Sequence, residues 1–466
     1  MADQGSAVDV ADVTSLAHDV DGAVLLPGDA GYAAECATFN TALPRRPAVV
    51  VAAASPADVS RAVRFAGERD LPAGVLATGH GTAQPGNGAL LVTTKRMHTV
   101  TIDPAARIAR AEAGTRWHEV IDAAAPYGLA PLSGSSPQVG VVGYTTGGGL
   151  SPIMGRAHGW AADRVRAFEI VTADGLLLRV TPDRDSDLFW AVRGGKDNFG
   201  IVTAIEFDLF EQPRLYGGGL YFSGQHAAEV LHAYRSWAET LPEEMTASVA
   251  LLRLPPLDIV PEPLRGQFTV HVRIAYLGSP EDGARLLAPI REVAPVIVDT
   301  VTDMPFTDVG AVHAEPTSPL PAYEASTRLS EFNEAAVDAI LSAAGPDADC
   351  PLAMVEVRQL GGALAREPEV PNAVSGRTAP FQVFGAGIGG TLEAPFIYAS
   401  IDEVFRGLKP WRTPEGTLNW LSMRDIEPDS IRDAFGKDVY SRLVAVKRAY
   451  DPANMFRVNH NIPPVL

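Results

Sequence analysis

Only two cysteines, Cys36 and Cys350, occur in 466 residues, and they lie far apart. That spacing excludes a disulfide framework and any cysteine-based metal motif, and it predicts a reducing, cytoplasmic setting. No stretch approaches the ~20 consecutive apolar residues of a membrane-spanning helix. No basic region precedes an apolar run at the N-terminus, so no secretory signal is predicted. Positive charge is scarce: residues 1–44 hold seven acidic side chains and no Lys or Arg, and the net charge of the chain is −18. Nucleic acid and anionic membrane both reward basic surfaces, so neither is expected as a partner. There is no repeat and no low-complexity segment. What remains is a chain with 46% hydrophobic and 20% charged residues, which suits a globular protein. Its length predicts two domains.

Strand and helix alternate through the N-terminal half. The apolar run 47–54 has strand length, and Ser55-Pro56 reads as an N-cap with proline at the first helical position. Val59, Ala62, Val63 and Ala66 repeat at helical spacing, which predicts a helix over 56–69 with one buried stripe. Leu71–Leu76 returns as a strand. This β-α-β unit sets the next loop at the carboxyl end of a strand, where open α/β folds bind ligands. Strands are predicted at 89–94 and 107–113, and a helix at 116–125. Residues 165–171, the Asp174-Gly175 turn and 176–180 read as a hairpin. Asp185–Gly195 reads as a capped helix ending on glycine, and 201–210 as a long strand. In the middle of the chain Phe268, Val270, Val272 and Ile274 alternate with Gln267, Thr269, His271 and Arg273. Residues 352–360 alternate likewise, with Glu356 and Arg358 on the face opposite Val355 and Val357. A last helix has Val439, Leu443, Val446 and Tyr450 on one stripe.

Two glycine-rich segments carry the candidate chemistry. Leu76-Ala77-Thr78-Gly79-His80-Gly81-Thr82 directly follows an apolar strand. Its glycines let backbone N–H groups approach a pyrophosphate. The imidazole in its middle is either a ligand contact or a loop histidine bonded to its neighbours, and the loop by itself is weak support for the first. From Ser133 to Gly159, glycines recur at 134, 140, 143, 147, 148 and 149, flanked by Val139, Val141, Val142 and Leu150. Apolar flanks would be wasted on a solvated linker, so this loop is expected to face a ligand. A P-loop is excluded because no Gly-Lys-Ser/Thr follows. A dinucleotide fingerprint fails for want of the strand–turn–helix setting and the later acidic residue.

The succession of motifs resembles the berberine bridge enzyme-like flavoproteins of the vanillyl-alcohol oxidase superfamily. It comprises Gly79-His80-Gly81, Val139-Gly140-Val141-Val142-Gly143 with Gly147-Gly148-Gly149, then 159–163, 172–175, 187–195 and 198–203. It closes with 450–457 and 459–464, so the matches run in order over nearly the whole chain. The resemblance implies an α+β, two-domain, PCMH-type FAD-binding fold. Its FAD domain is discontinuous, over 1–212 and 416–466, and its substrate domain, over 213–415, lays an antiparallel sheet over the flavin. The resemblance implies an oxidase of secondary metabolism that takes hydride from a C–H of an alcohol, an amine, or a phenolic or polyketide-type metabolite. Dioxygen would then be reduced to hydrogen peroxide. A dehydrogenase with another acceptor and an oxidative cyclase are the alternatives, and a degenerate flavin-binding non-enzyme is the reading from another class.

Site residues follow from the same resemblance. Thr78, Gly79, His80, Gly81, Thr82, Ser136, Val139, Gly140, Gly143, Gly147, Gly148, Gly200, Val202, Asn419, Asn459 and Asn461 are expected at FAD, with His80 bonded to its 8α carbon. No metal is expected. Ser136 stands where many relatives carry a second linking cysteine, so a single covalent link is expected. Val139 stands where oxidases often carry valine. Thr417 stands where relatives often carry a tyrosine that acts as base or base helper, so proton removal must come from elsewhere. Glu356, Arg358, His271 and Tyr144 are the catalytic candidates. Glu356 comes first, because a carboxylate between two apolar strand residues is expected to have a raised pKa.

Overall fold

The computed structural model describes residues 10–81 and 83–465. Ala23–Leu25, Val49–Ala52, Leu90–Thr93 and Ala73–Leu76 lie side by side in that order, the last three parallel. Val49–Ala52 is buried along its whole length, as parallel strands covered on both faces are. The helix Pro56–Glu68 covers it with the predicted stripe of Val59, Ala62, Val63 and Ala66. Ser55 caps that helix by accepting the Asp58 N–H at 3.3 Å. The Asp58 carboxylate in turn accepts N–H groups of Asp21, Gly22 and Ala54 at 2.9–3.0 Å.

A five-stranded antiparallel sheet follows, in the order Val100–Asp103, Ile108–Glu112, Ile201–Asp208, Val165–Val171, Leu177–Val180. It contains the hairpin predicted around Asp174-Gly175. The helix Ser186–Gly195 also forms, but Asp185 does not cap it. Its backbone is left-handed, with φ 54°, and its carboxylate accepts instead from the Tyr450 hydroxyl at 3.4 Å.

The largest sheet has nine strands, all antiparallel. Arg214–Ser223, Phe268–Tyr276, Met245–Arg253, Met354–Gln359, Phe381–Ile388 and Ala322–Leu329 form its centre in that order. One face presents Leu220, Phe222, Val249, Val270, Val272, Val355, Val357 and Val383 to the helices Ala227–Ala238, Pro280–Arg291, Glu334–Ala344 and Ala394–Gly407. Burying each such side chain contributes about 1.5–3 kcal/mol. The other face carries Ser248, His271, Arg273, Glu356, Arg358 and Gln382, and these are buried too, none more than 5% exposed. The alternation in the sequence predicts one apolar and one polar face. The structure adds that the polar face meets protein rather than water.

The last helix, Lys437–Tyr450, returns to the first half of the chain. Lys447 has no solvent exposure. Its Nζ donates to Asp451 Oδ2 at 2.7 Å, Asn198 O at 2.7 Å and Phe456 O at 2.9 Å, which satisfies all three ammonium protons. Asp451 also accepts the N–H groups of Met455 and Phe456. Asn198 donates to His460 O and accepts from the Ile462 N–H. Removing one partner of such a pair strands a buried charge. Lys447→Met is therefore expected to lower unfolding stability by about 3–5 kcal/mol, measured by urea titration.

Candidate active site

The strand Ala73–Leu76 delivers the His80 loop beside residues 39–40. Phe39 N–H donates to Thr78 O, and Asn40 N–H to Gly79 O. Gly79 has φ 68°, and a Cβ there would fall 2.5 Å from the Thr38 side chain, so only glycine suits the position. The Phe39 ring stacks on His80 with centroids 4.0 Å apart. His80 Nδ1 lies 2.9 Å from Thr78 Oγ1, while Nε2 is shut off from solvent and has no partner. Burial, helped by the charge of Arg116, brings the imidazole pKa down to about 4. It is neutral at pH 7. Thr82 lies outside the described residues.

The segment 133–159 is not one loop. Val141–Thr146 is a short helix that begins at Gly140. A Cβ on Gly140 would touch Thr78 Oγ1 at 3.4 Å, so the start of this helix adjoins the His80 loop. Gly81 and Gly143 face open space: a Cβ on either would meet nothing within 4 Å. The glycine triplet behaves differently. A Cβ on Gly147 would fall 2.1 Å from Asn419 Oδ1, on Gly148 3.2 Å from Thr417 Cγ2, and on Gly149 2.6 Å from Ala161 Cβ. On their Cβ side these glycines make room for protein. Val139 and Val202 belong to the adjoining apolar core, and Gly200 is pressed against Val171 and Ile170. Ser136 is buried, and its Oγ accepts the Gln138 N–H at 3.4 Å. Asn419 Nδ2 donates to Tyr144 O at 2.6 Å. The Oδ1 atoms of Asn459 and Asn461 are buried without partners. The Asn459 carbonyl accepts from Gln84, and Asn461 lines a groove with Gln84, Gly86 and Arg457.

The polar sheet face gathers the catalytic candidates. Register sets Arg273 opposite Ser248 and Ser248 opposite Arg358, with His271, Ala250 and Glu356 aligned in the next row. Glu356 accepts from Arg273 Nη1 at 2.9 Å and from Arg358 Nε at 2.8 Å. Burial alone would raise its carboxyl, but Arg358 and Arg273 outweigh burial and hold it far below the usual carboxylate range. Glu356 is a fixed anion, which corrects the expectation of a base near neutrality. His271 Nδ1 accepts from Arg273 Nε at 3.0 Å, and its ring stacks on Tyr221. A Cβ on Gly219 would fall 1.9 Å from His271 Nε2, so that position must be glycine. Burial, then Arg273 and His313, push the His271 pKa well below its ordinary value. It supports Arg273 as a neutral acceptor and does not titrate near pH 7. The Tyr144 hydroxyl is buried without a partner. Burial raises its pKa well above 10 against the pull of Arg358, so the phenol stays protonated and can donate. The Arg358 guanidinium lies 4.9 Å over the Trp420 ring.

Sequence reasoning did not single out Arg273 for the site, although its alternation with His271 already put both on one face. It also missed His313, 3% exposed with neither ring nitrogen bonded, which follows the short helix Phe306–Val312 and has no motif around it. Glu324 was missed as well. It lies on the polar face, half-buried, and burial with the charge of Glu315 raises its carboxyl to about 7 against Arg358.

Two family models match this chain: an FAD binding domain over residues 47–181, and "berberine and berberine like" over 424–463. The chain thus carries an FAD binding domain and a berberine-like C-terminal segment, and it is an FAD-linked oxidoreductase. This oxidoreductase is 27% identical to (R)-6-hydroxynicotine oxidase of Paenarthrobacter nicotinovorans over 455 residues, 96% of this chain and 97% of the relative. It is 31% identical to the FAD-dependent monooxygenase prx3 of Penicillium roqueforti over 230 residues, 48% of this chain and 45% of the relative. The crystal structure of 6-hydroxy-D-nicotine oxidase from Arthrobacter nicotinovorans superposes with a TM-score of 0.81 at 25% identity, covering 96% of this chain and 98% of that one. A chitooligosaccharide oxidase shares the fold with a TM-score of 0.83 at 19% identity, covering 98% and 100%.

The residues present fit FAD. The unpartnered Nε2 of His80, the open sides of Gly81 and Gly143, and the unpartnered Asn459 and Asn461 oxygens are donors, acceptors and space that a large polar ligand would use. Among the described residues, no helix is long and apolar enough to cross a membrane.

His80, His158 and His460 are each held down to about 4, mainly by burial, against an ordinary value of 6.5. Between these values the unfolded chain binds more protons than the folded one, so stability rises with pH there. The expected outcome is a Tm that falls as pH drops from 6.5 towards 4, with part of that slope removed in His80→Asn. A pH series of thermal denaturation curves checks it.

Proposed function

We propose that the protein is an FAD-dependent oxidase in which His80 holds the cofactor through a single covalent bond at Nε2. The observation that carries this reading is that Nε2 is closed to solvent, unpartnered, and part of a neutral imidazole whose other nitrogen is held by Thr78. A neutral ring nitrogen is the nucleophilic form. Ser136 is a poor nucleophile at the second position, so no second bond is expected. The nine strands of the large sheet all fall within 213–415, which supports a substrate domain over that span and an FAD domain made of the two ends. Two free, buried cysteines support a cytoplasmic setting.

When bound, FAD supplies the hydride acceptor and passes the electrons to dioxygen, giving hydrogen peroxide. The chain supplies orientation and charge. Arg273 and Arg358 present fixed positive charge, and Glu356 keeps them in place. His271 positions Arg273 from behind, and Tyr144 donates a hydrogen bond. Leu150, Ile274, Leu360 and Leu364 wall the adjoining crevice with apolar surface. Glu324 is the group assigned to proton removal, facing Glu315, Arg358 and Tyr398 with a carboxyl near 7. The hydroxynicotine and chitooligosaccharide oxidases support an alcohol- or amine-type C–H donor among small molecules.

Acid precipitation followed by intact-mass analysis tests the linkage. The wild type is expected to give a yellow pellet heavier than the polypeptide by one FAD, and His80→Ala a pellet without it. Flavin still attached in that variant would overturn the assignment. The base assignment predicts that kcat rises as pH passes through about 7, because Glu324 accepts a proton only when ionised. Glu324→Gln is expected to lower kcat about 100-fold and to flatten that limb, read in an oxygen-consumption assay across pH.

A further inference from the structure

We infer that Lys196, backed by the charge of Arg45, takes the diphosphate of FAD. This rests on the FAD reading above and names the side chains that meet the cofactor's charge. Lys196 follows the helix Ser186–Gly195 at φ 55° and ψ −142°, a conformation that residues with a side chain rarely adopt. Glycine would sit there without strain, and the two residues before it are glycines. A strained lysine in such a turn points to a task for its ammonium. Its Nζ makes no hydrogen bond or ion pair to any described residue, yet it is not sealed from solvent, so a ligand can reach it.

Charge selects the ligand. Burial works against the Lys196 ammonium, and Asp197 supports it. Arg45 stands the same way. Burial lowers its pKa, Asp197 is the first group to oppose this, and its Nε and Nη1 are closed to solvent without a partner. Two cations, both half-buried, thus depend on one carboxylate. That excess is costly unless an anion joins it. A neutral ligand would leave it uncompensated, and a cation would be repelled.

Both cations border one groove. A Cβ on Gly86 would fall 3.9 Å from Arg45 Nη1, and the Lys196 charge reaches His460, the neighbour of Asn461. Gly86 and Asn461 line a groove of about 460 Å³, the size of a small-ligand cleft. The flavin ring and the adenine of oxidised FAD are neutral, so the diphosphate is the part that answers two cations. It brings two negative charges to a chain whose net charge is already −18, so local cations must meet it. Those towards His80 are engaged elsewhere. Arg116, whose charge reaches His80, donates to Gln138. Lys95 donates to the carbonyls of Ala34 and Glu35. Lys196 is the cation left with its ammonium free.

The test uses the full-length His80→Ala chain, in which the cofactor stays exchangeable. Freed of flavin, it is titrated with FAD and with riboflavin, which lacks the diphosphate, and binding is read by flavin fluorescence. FAD is expected to bind about tenfold tighter than riboflavin or better, the scale of one charged hydrogen bond. Lys196→Gly should weaken FAD about tenfold and leave riboflavin within about twofold. The same substitution relieves the backbone and should raise the Tm of the flavin-free chain, a sign that damaged folding cannot mimic. Lys196→Arg keeps the charge and should keep FAD binding within about threefold. If Lys196→Gly weakens both flavins equally, or neither, the diphosphate assignment is overturned and the oxidase reading stands. The same holds for a chain that gains Tm from inorganic phosphate but binds FAD no tighter than riboflavin. A second measurement needs no exchangeable cofactor. Flavin-free chain with His80 intact, made under riboflavin limitation, is mixed with subsaturating FAD, and its rate of mass gain should fall about tenfold in Lys196→Gly. An unchanged rate overturns the assignment. A wild type that takes up no flavin overturns both readings.

Discussion

Glu356 bridges Arg273 and Arg358 in a place closed to water, and the layout of the large sheet follows from keeping those three charges together. Desolvating three ionised groups is costly, and contacts of 2.8–2.9 Å offset that cost only while all three remain in place. Arg273, Glu356 and the strand between them come from sequence positions far apart, so the register must be held. A slip of one residue would turn Glu356 onto the helix-covered face. Val355 and Val357, packed among the apolar side chains of that face, prevent the slip. Ser248, small and directly between the arginines, lets them approach. Gly219 leaves the space that His271 fills behind Arg273. The helix layer therefore fixes the register, and the register fixes the site.

How much of this could be read in the sequence depended on distance along the chain. The Ser55 cap, the stripe of Pro56–Glu68 and the hairpin at Asp174-Gly175 are set by neighbours within a few residues, and each appears as its pattern predicts. The alternation around His271 and Glu356 put the polar residues on one face, because period 2 is a local property. It did not reveal that the face is buried, since burial is decided by what the sheet packs against. For the same reason the environment of Glu356 was misread: its flanking valines lie on the opposite face, and its own neighbours are Arg358 of the same strand and Arg273 of another. The glycine triplet at 147–149 gave no sign of its Cβ-side neighbours, Asn419, Thr417 and Ala161, two of them about 270 residues away along the chain. His313 has no local pattern at all and enters the site only through packing.

The two ends of the chain are joined by the same kind of buried polar closure. Lys447 ties the last helix to Asn198 and to the turn after Asp451, and Asn198 in turn holds His460 and Ile462. That accounts physically for Asp451 and Asn198 within their motifs: each satisfies several backbone groups that would otherwise be buried unpaired. The turn at 417–420 closes the middle of the site in a similar way. Asn419 bonds the Tyr144 carbonyl, and Trp420 lies under Arg358 and against Phe384. One short segment thus fastens the helix beside the His80 loop to the polar sheet face.

That turn also bears on where a proton goes. Thr417 is 2% exposed, and a Cβ on Gly148 would meet its Cγ2 at 3.2 Å. The threonine hydroxyl is no base near neutrality. Tyr144, on the other side of the turn, is kept protonated by burial. The proposed function therefore assigns the acceptor to the sheet, where Glu356 and Glu324 share a face two strands apart. Their environments push them in opposite directions. Two guanidiniums commit Glu356 to the anion, whereas burial and Glu315 leave Glu324 balanced near 7. A pair of carboxyls separated in this way divides the labour: one holds charge and geometry, and the other exchanges the proton.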